Sequence, residues 1–156
     1  MNWNKRTSKR FVAFFDIMGF KEIVERNDHK TVVSKLENLK SHLTALEGFH
    51  KSSANEKEFS ETKSITFSDS IVIFSKSNTA KDACKILFDS AYLLHVALKE
   101  GIGIKGALSY GEITVDFDNS LFFGRPIIDA YLLHEQLHMY TAILDYNFEK
   151  EISDMQ

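Results

Sequence analysis

The sequence predicts an α+β domain, a mixed sheet flanked by helices, on three observations. Short apolar runs rich in aromatic and β-branched residues alternate with two long amphipathic stretches. Two of the runs are separated only by Ser68-Asp69-Ser70, the spacing of a hairpin. Most of the others are joined through helical segments, and a chain that joins strands in both ways builds a sheet of mixed direction.

The elements follow in order. Phe11–Met18 (FVAFFDIM) is short and apolar and predicts a buried strand that Gly19 ends; Phe20–Arg26 begins a helical pattern. From Asp28 to His50, Val32, Val33, Leu36, Leu39, Leu43 and Leu46 recur at helical spacing, with Asp28 or Asn27 as N-cap and Gly48 as stop. Lys51–Lys63 is polar and aperiodic, a loop. Ser64–Phe67 and Ile71–Phe74 form the hairpin, with Asp69 at its turn. Thr79–Glu100 is an amphipathic helix that Gly101 closes. Ile102–Val115 is strand-rich, with Gly106 and Gly111 as interruptions. Asp116–Ser120 is a turn, and Leu121–Phe123 a short strand. Pro126 suits the first turn of a helix running to His138. Tyr140–Leu144 is a last strand, and a polar, acidic tail follows from Asp145. This order points to a ferredoxin-like arrangement. One domain is expected over 1–156, with its core in 11–145 between a flexible basic N-terminus and the polar tail.

The 156 residues are 44% hydrophobic and 26% charged, the balance of an ordinary globular protein with a real core. A net charge of -3 gives no general electrostatic case for nucleic acid or an anionic membrane. Cys84, the single cysteine, rules out an internal disulfide and cysteine-rich zinc sites and is expected in the core. No apolar run approaches the ~20 residues of a membrane span. The N-terminus has no signal-peptide h-region, so a cytoplasmic location is expected.

Two aspartates carry the chemistry. Asp16 ends a buried apolar strand, and Asp69 sits between the runs ITF and IVIF. A carboxylate in such a place is costly unless paired, hydrogen-bonded or on a metal. Two of them can hold one or two Mg²⁺ or Mn²⁺ ions. The backbone N–H groups at Gly19-Phe20 can face a triphosphate. Turn and cap roles for both aspartates are the competing reading.

Phe14-Phe15-Asp16-Ile17-Met18-Gly19-Phe20 resembles the F-x-D-I-x-G-F segment of class III adenylate and guanylate cyclases. Ser68-Asp69-Ser70 with IVIF resembles the hairpin of the second metal aspartate, with Ser68 where the family usually has Gly. Lys105–Gly111 (KGALSYG), and Phe123-Gly124 with Ala130, match further segments, so the likeness covers about 11–145 with its motif order preserved. It implies a class III cyclase catalytic fold. Asp16, the Ile17 carbonyl and Asp69 would bind two Mn²⁺ or Mg²⁺ ions, with Ile17, Met18, Gly19 and Phe20 against a nucleoside triphosphate. It also implies a head-to-tail homodimer with shared sites. Ile128 and Leu132 stand where the family places its transition-state Asn and Arg, and Ile65 and Leu121 where it reads purines. The strings DIMGF, SDSIVIFS, GALSYGE and FGRPIIDAYLLHE are similar to the cyclase subunits of Pycsar antiphage systems. These convert UTP or CTP to the cyclic monophosphate, a second messenger read by a separate effector protein. Arg125 and Lys105 are the candidate replacements for triphosphate or transition-state contacts. A purine cyclase with unusual base recognition, or a degenerate regulatory domain that binds nucleotide, or only a partner, without chemistry, are the alternatives.

His134-Glu135-Gln136-Leu137-His138 also matches H-E-x-x-H, the zinc metalloprotease signature. Thr141 and Leu144 stand where a metzincin needs Gly and His, so a chance match in a helix is the better account.

Overall fold

A computed structural model describes residues 3, 6–48 and 60–155. Eleven elements occur in the order β1 (Thr7–Ile17), α1 (Phe20–Arg26), α2 (His29–Gly48), β2 (Thr62–Phe67), β3 (Ser70–Ser75), α3 (Ala80–Lys99), β4 (Ile104–Asp116), β5 (Leu121–Gly124), α4 (Arg125–Glu135), β6 (Ala142–Leu144) and α5 (Tyr146–Asp154). The sheet runs β2-β3-β1-β4-β5, and β6 pairs with β4. All pairings are antiparallel except β4 with β6. The first four strands in space, β2-β3-β1-β4, have the split βαβ order of the ferredoxin-like fold.

β1 organises the two faces, because successive side chains of a strand point to opposite sides. Phe11, Ala13, Phe15 and Ile17 enter a core closed by α2, α3 and α5 through Leu39, Leu43, Ile86, Leu93 and Phe148. Val12 and Phe14 enter a second core beneath α4, with Val72, Phe74, Ala107, Ile113 and Ala130. Asp16, two residues beyond Phe14, continues this second face.

Several boundaries depart from the sequence reading. β1 starts at Thr7, so residues 7–10 of the expected flexible N-terminus are strand, with Arg10 buried and bonded to the Ser75 carbonyl. β4 is continuous through Gly106 and Gly111. Gly106 leaves room for the Phe15 ring, which a Cβ there would meet at 2.3 Å. The expected polar tail is α5: Asp145 caps it by accepting from the Phe148 N–H, and Phe148 is fully buried against Phe11. Cys84 is exposed, on the outer side of α3, not in the core. α4 ends at Glu135, short of His138, where the chain turns back toward β4. The last strand is Ala142–Leu144 rather than 140–144. Asp28 caps α2 through the Thr31 N–H, and Thr79 with Asp82 forms a capping box on α3. The expected end of α2 at His50 and residues 51–59 of the expected loop lie outside the described residues.

Candidate functional site

Asp16 and Asp69 meet at one end of the sheet. The β2–β3 turn is tight, with Ser68 in the left-handed region at φ 55°. It delivers the Asp69 carbonyl to the Ile17 N–H at 3.0 Å, which ties the turn to the end of β1. Strand register then sets a row across four strands on the α4 face. Phe67 pairs with Ser70, Ser70 with Asp16, and Asp16 with Lys105.

Beyond Asp16 the chain passes through Met18 and Gly19 into α1. Gly19 is left-handed at φ 68°, a conformation that favours glycine. The Met18 N–H donates to the Gly103 carbonyl at 2.8 Å, and the Ile23 N–H to the Gly19 carbonyl at 3.0 Å. α1 is seven residues long and carries Glu22 in its first turn. Any anion at this turn is therefore held by individual N–H groups, against the nearby carboxylate, more than by a helix dipole.

α4 lies over the row. His134 is buried, its ring 4.8 Å from Phe14 and its Nδ1 against the Tyr131 carbonyl. The Tyr131 hydroxyl donates to Glu135 Oε1 at 2.9 Å, and its phenol is pushed up by that bond and by the Glu135 charge. Burial pushes the Asp16 carboxyl above its usual range, and the Asp69 charge adds to the rise. His134 and Lys105 act in the opposite direction, and Glu135 with Asp69. Asp16, Asp69, Lys105, His134 and Glu135 thus form one electrostatic neighbourhood. Sequence reasoning missed Tyr131, His134 and Glu135 as a group, although their i, i+3, i+4 spacing on one helix face was the available signal.

The hydrogen bonds of the aspartates separate this site from the rest of the molecule. Seven aspartates are buried or half-buried: 16, 69, 82, 89, 116, 129 and 145. Five take protein donors. Asp82 is bonded by Ser60, Ser77 and Thr79, and Asp89 by Thr62 and Lys85. Asp116 has Asn119 and Arg6, Asp129 has Arg125, and Asp145 has Ser109 and the Phe148 N–H. Among the described residues no donor lies within hydrogen-bond distance of the Asp16 or Asp69 carboxylate.

The other expected residues divide. Lys105 stands beside Asp16, with its Nζ on the Leu137 carbonyl at 3.2 Å. Arg125 does not join the cluster. It is exposed and paired with Asp129 at 2.7 Å, nine residues before His134 on α4, about 13 Å along the axis. The H-E-x-x-H string makes no zinc site: α4 ends between its histidines, and His134 turns its Nδ1 to Tyr131. Among the described residues no group of three His, Cys, Asp or Glu could hold a metal. A cavity of about 340 Å³, lined by Trp3, Arg6, Lys63 and Asp116–Asn119, lies at the far end of the sheet. β1 separates it from Asp16 by about 30 Å.

No protein-family model matches the chain. No curated protein matches it either. Solved structures do. The catalytic core of a rhodopsin-guanylyl cyclase with converted specificity, in complex with ATPαS, superposes with a TM-score of 0.76 at 14% identity, over 93% of this chain and 80% of that one. A bacterial light-regulated adenylyl cyclase gives 0.66 at 14% identity, over 92% and 79%. A class III adenylyl cyclase-like ATP-binding protein from Pseudomonas aeruginosa gives 0.61 at 15% identity, over 93% of this chain and 35% of that one. The chain has the fold of class III nucleotide cyclase catalytic domains.

Proposed function

We propose that this domain is a metal-dependent nucleotide cyclase that converts UTP or CTP to the 3′,5′-cyclic monophosphate and pyrophosphate. The observation that carries the reading is the pair of half-buried aspartates without protein donors among the described residues, at adjoining strand ends, on a cyclase fold. Such carboxylates are costly unless something outside the protein satisfies them. A carboxyl raised by burial and by a neighbouring carboxylate, as that of Asp16 is, is a mark of functional sites.

The donor set fits Mg²⁺ or Mn²⁺. Mg²⁺ commonly uses one or two carboxylates and takes its remaining oxygens from substrate phosphates and water. Asp16, Asp69 and the Ile17 carbonyl are the residues that would hold two ions. When bound, such ions neutralise the triphosphate and ease ionisation of the ribose 3′-hydroxyl. In the reaction the 3′ oxygen bonds to the α-phosphorus, the bond from that phosphorus to the bridging oxygen breaks, and pyrophosphate leaves. Lys105 adds positive charge beside Asp16. The N–H groups of Gly19 and Phe20 are offered to phosphate oxygens, while that of Met18 is held by the Gly103 carbonyl.

A head-to-tail homodimer belongs to this reading. On the outer side of α4, Ile128, Tyr131 and Leu132 are exposed at i, i+3 and i+4, and Leu121 and Phe123 of β5 are exposed as well. A second copy covering this face would remove that apolar surface from water. It would also bring cations, Arg125 first among them, to a triphosphate that Lys105 faces within one copy. The pyrimidine preference rests on Ile65 and Leu121 standing at the purine-reading positions. A second-messenger role in antiviral defence, with a separate effector protein, is the biological context the sequence resemblance implies. No described helix is long and apolar enough to cross a membrane. A second reading is a domain that binds nucleotide without chemistry. The exposed, apolar Ile128 and Leu132 at the transition-state positions favour it.

The test incubates the protein with ATP, GTP, CTP or UTP and Mn²⁺ and identifies products by mass spectrometry, beside Asp16→Ala and Asp69→Ala. A cyclic monophosphate from UTP or CTP that disappears in both variants is the expected outcome. Product from ATP or GTP alone would overturn the pyrimidine assignment. Nucleotide binding with no product would establish the second reading.

A further inference from the structure

The loop between α4 and β6 forms a wall beside the row that contains Asp16. Its two ends are pinned to β4: the Leu137 carbonyl accepts from Lys105 Nζ at 3.2 Å, and the Thr141 carbonyl from the Gly106 N–H at 2.8 Å. Between these anchors Tyr140 lays the edge of its ring on the backbone of Gly103. A Cβ at Gly103 would meet Tyr140 Cε1 at 2.2 Å, so only glycine admits the ring at this distance. Gly103 immediately precedes β4 and is two residues before Lys105, at most about 7 Å of extended chain away. The Gly103 carbonyl also accepts from the Met18 N–H, the first donor of the turn that leads into α1. The ring is thus fixed to the same backbone that positions the candidate phosphate turn and the lysine beside Asp16. Even so, Tyr140 is 59% exposed. A large ring held on a backbone anchor and left open to water is a platform, because among the described residues no aromatic ring or cation stacks on it.

We propose that Tyr140 is the stacking surface for the heterocyclic base of the nucleotide. The site would then select a base-bearing triphosphate over a bare polyphosphate. The inference rests on the nucleotide reading of the Asp16–Asp69 site and adds a specificity-determining residue to it. Stacking uses the π-face and not the hydroxyl, so phenylalanine replaces tyrosine and a small side chain does not. Stacking is tolerant of base identity, so Tyr140 sets affinity for a base while other contacts choose between bases.

Isothermal titration with Mn²⁺ tests this, using the full chain and two probes. The first is 3′-deoxyuridine triphosphate, which has no 3′-hydroxyl and cannot cyclise. The second is inorganic tripolyphosphate, which has no base. Tyr140→Ala is expected to weaken the nucleotide about tenfold, the scale of losing one base–aromatic stack, and to leave tripolyphosphate unchanged. Tyr140→Phe is expected to hold wild-type affinity for both within about twofold. Equal weakening of both probes by Tyr140→Ala would show that the residue only supports the loop, and would overturn the proposal. Unchanged nucleotide affinity in Tyr140→Ala would overturn it too. Wild-type protein that binds neither probe would overturn the nucleotide reading together with this one. Wild-type protein that binds the nucleotide through Tyr140 but yields no product from UTP or CTP would leave Tyr140 assigned and remove only the cyclase activity.

Discussion

Asp82 and Asp16 are two carboxylates withdrawn from water in opposite ways. Asp82 sits in the first turn of α3 at 3% exposure. Burial pushes its carboxyl up, but hydrogen bonds from Ser60, Ser77 and Thr79 outweigh that and bring it below its ordinary value. Asp16 ends β1, half-buried, with a second carboxylate beside it and no donor, and its carboxyl rises. One region uses the protein to satisfy the charge and the other does not. The difference teaches where to look for function: the polar group that the fold buries and leaves unsatisfied is the one available to a ligand. The two faces of the sheet repeat the lesson. The Phe15 face is closed by three helices, while the Phe14 face has α4 alone and keeps Asp16 and the apolar side of that helix open.

The sharpest test of this contrast separates activity from stability. Asp16→Asn is expected to lower the cyclisation rate by at least about a hundredfold, as loss of a preorganised electrostatic group does. Its thermal midpoint is expected not to fall, because the amide removes a desolvated charge. A lost midpoint with unchanged activity per folded molecule would make Asp16 structural and break the comparison.

Asp82→Ala should do the reverse. It strips the capping box and leaves buried hydroxyls without their acceptor, a loss on the order of 3 kcal/mol. Urea unfolding measures this, and activity per folded molecule should stay near wild type. A stability change below about 0.5 kcal/mol, the range of ordinary surface substitutions, would show that the Asp82 network does not stabilise the fold.

The smallest effect is in pH dependence, measured in EDTA by urea unfolding. Asp82 has a folded value below its unfolded one. Its contribution is present above the unfolded value and is lost as pH falls through the folded one. Asp16 has a raised folded value. Its contribution is present below the unfolded value and is lost as pH rises through the folded one. Asp82→Asn should therefore flatten the acid loss of stability. Asp16→Asn should gain on wild type as pH rises from the carboxylate range toward 7. Parallel profiles for the two variants would erase the distinction.

Much of the fold was legible in short stretches. The Ser68-Asp69-Ser70 hairpin, the Asp28 cap and the Gly19 stop are local signals, and each lies where its residues predict, while Thr79, expected as the first helical residue, is the cap of α3. α5 was hidden because Tyr146–Asp154 is polar and acidic overall, and a single buried ring, Phe148, docks it on Phe11. Cys84 was misplaced because the apolar pattern of α3 does not say which flank of the helix stays uncovered. Thr7–Arg10 read as a basic tail because Arg10 pairs with carbonyls 65 and 66 residues away. At the site, Asp16, Asp69 and Lys105 were picked out, while Tyr131 was not and His134 and Glu135 were noted only in the H-E-x-x-H string, since α4 reaches Asp16 only through the packing of the second core.

The sequence by itself determined the strand-end aspartates, the hairpin between β2 and β3, and the capped helices, because these depend on residues a few positions apart. Only the tertiary structure decided which aspartates are satisfied. The donors to Asp82 include Ser60, and Thr62 reaches Asp89 from 27 residues away, so those bonds form only when β2 lies along α3. Among the described residues Asp16 and Asp69 receive none, because the nearby groups that could donate are engaged elsewhere: His134 Nδ1 with the Tyr131 carbonyl, the Tyr131 hydroxyl with Glu135 and Lys105 Nζ with the Leu137 carbonyl.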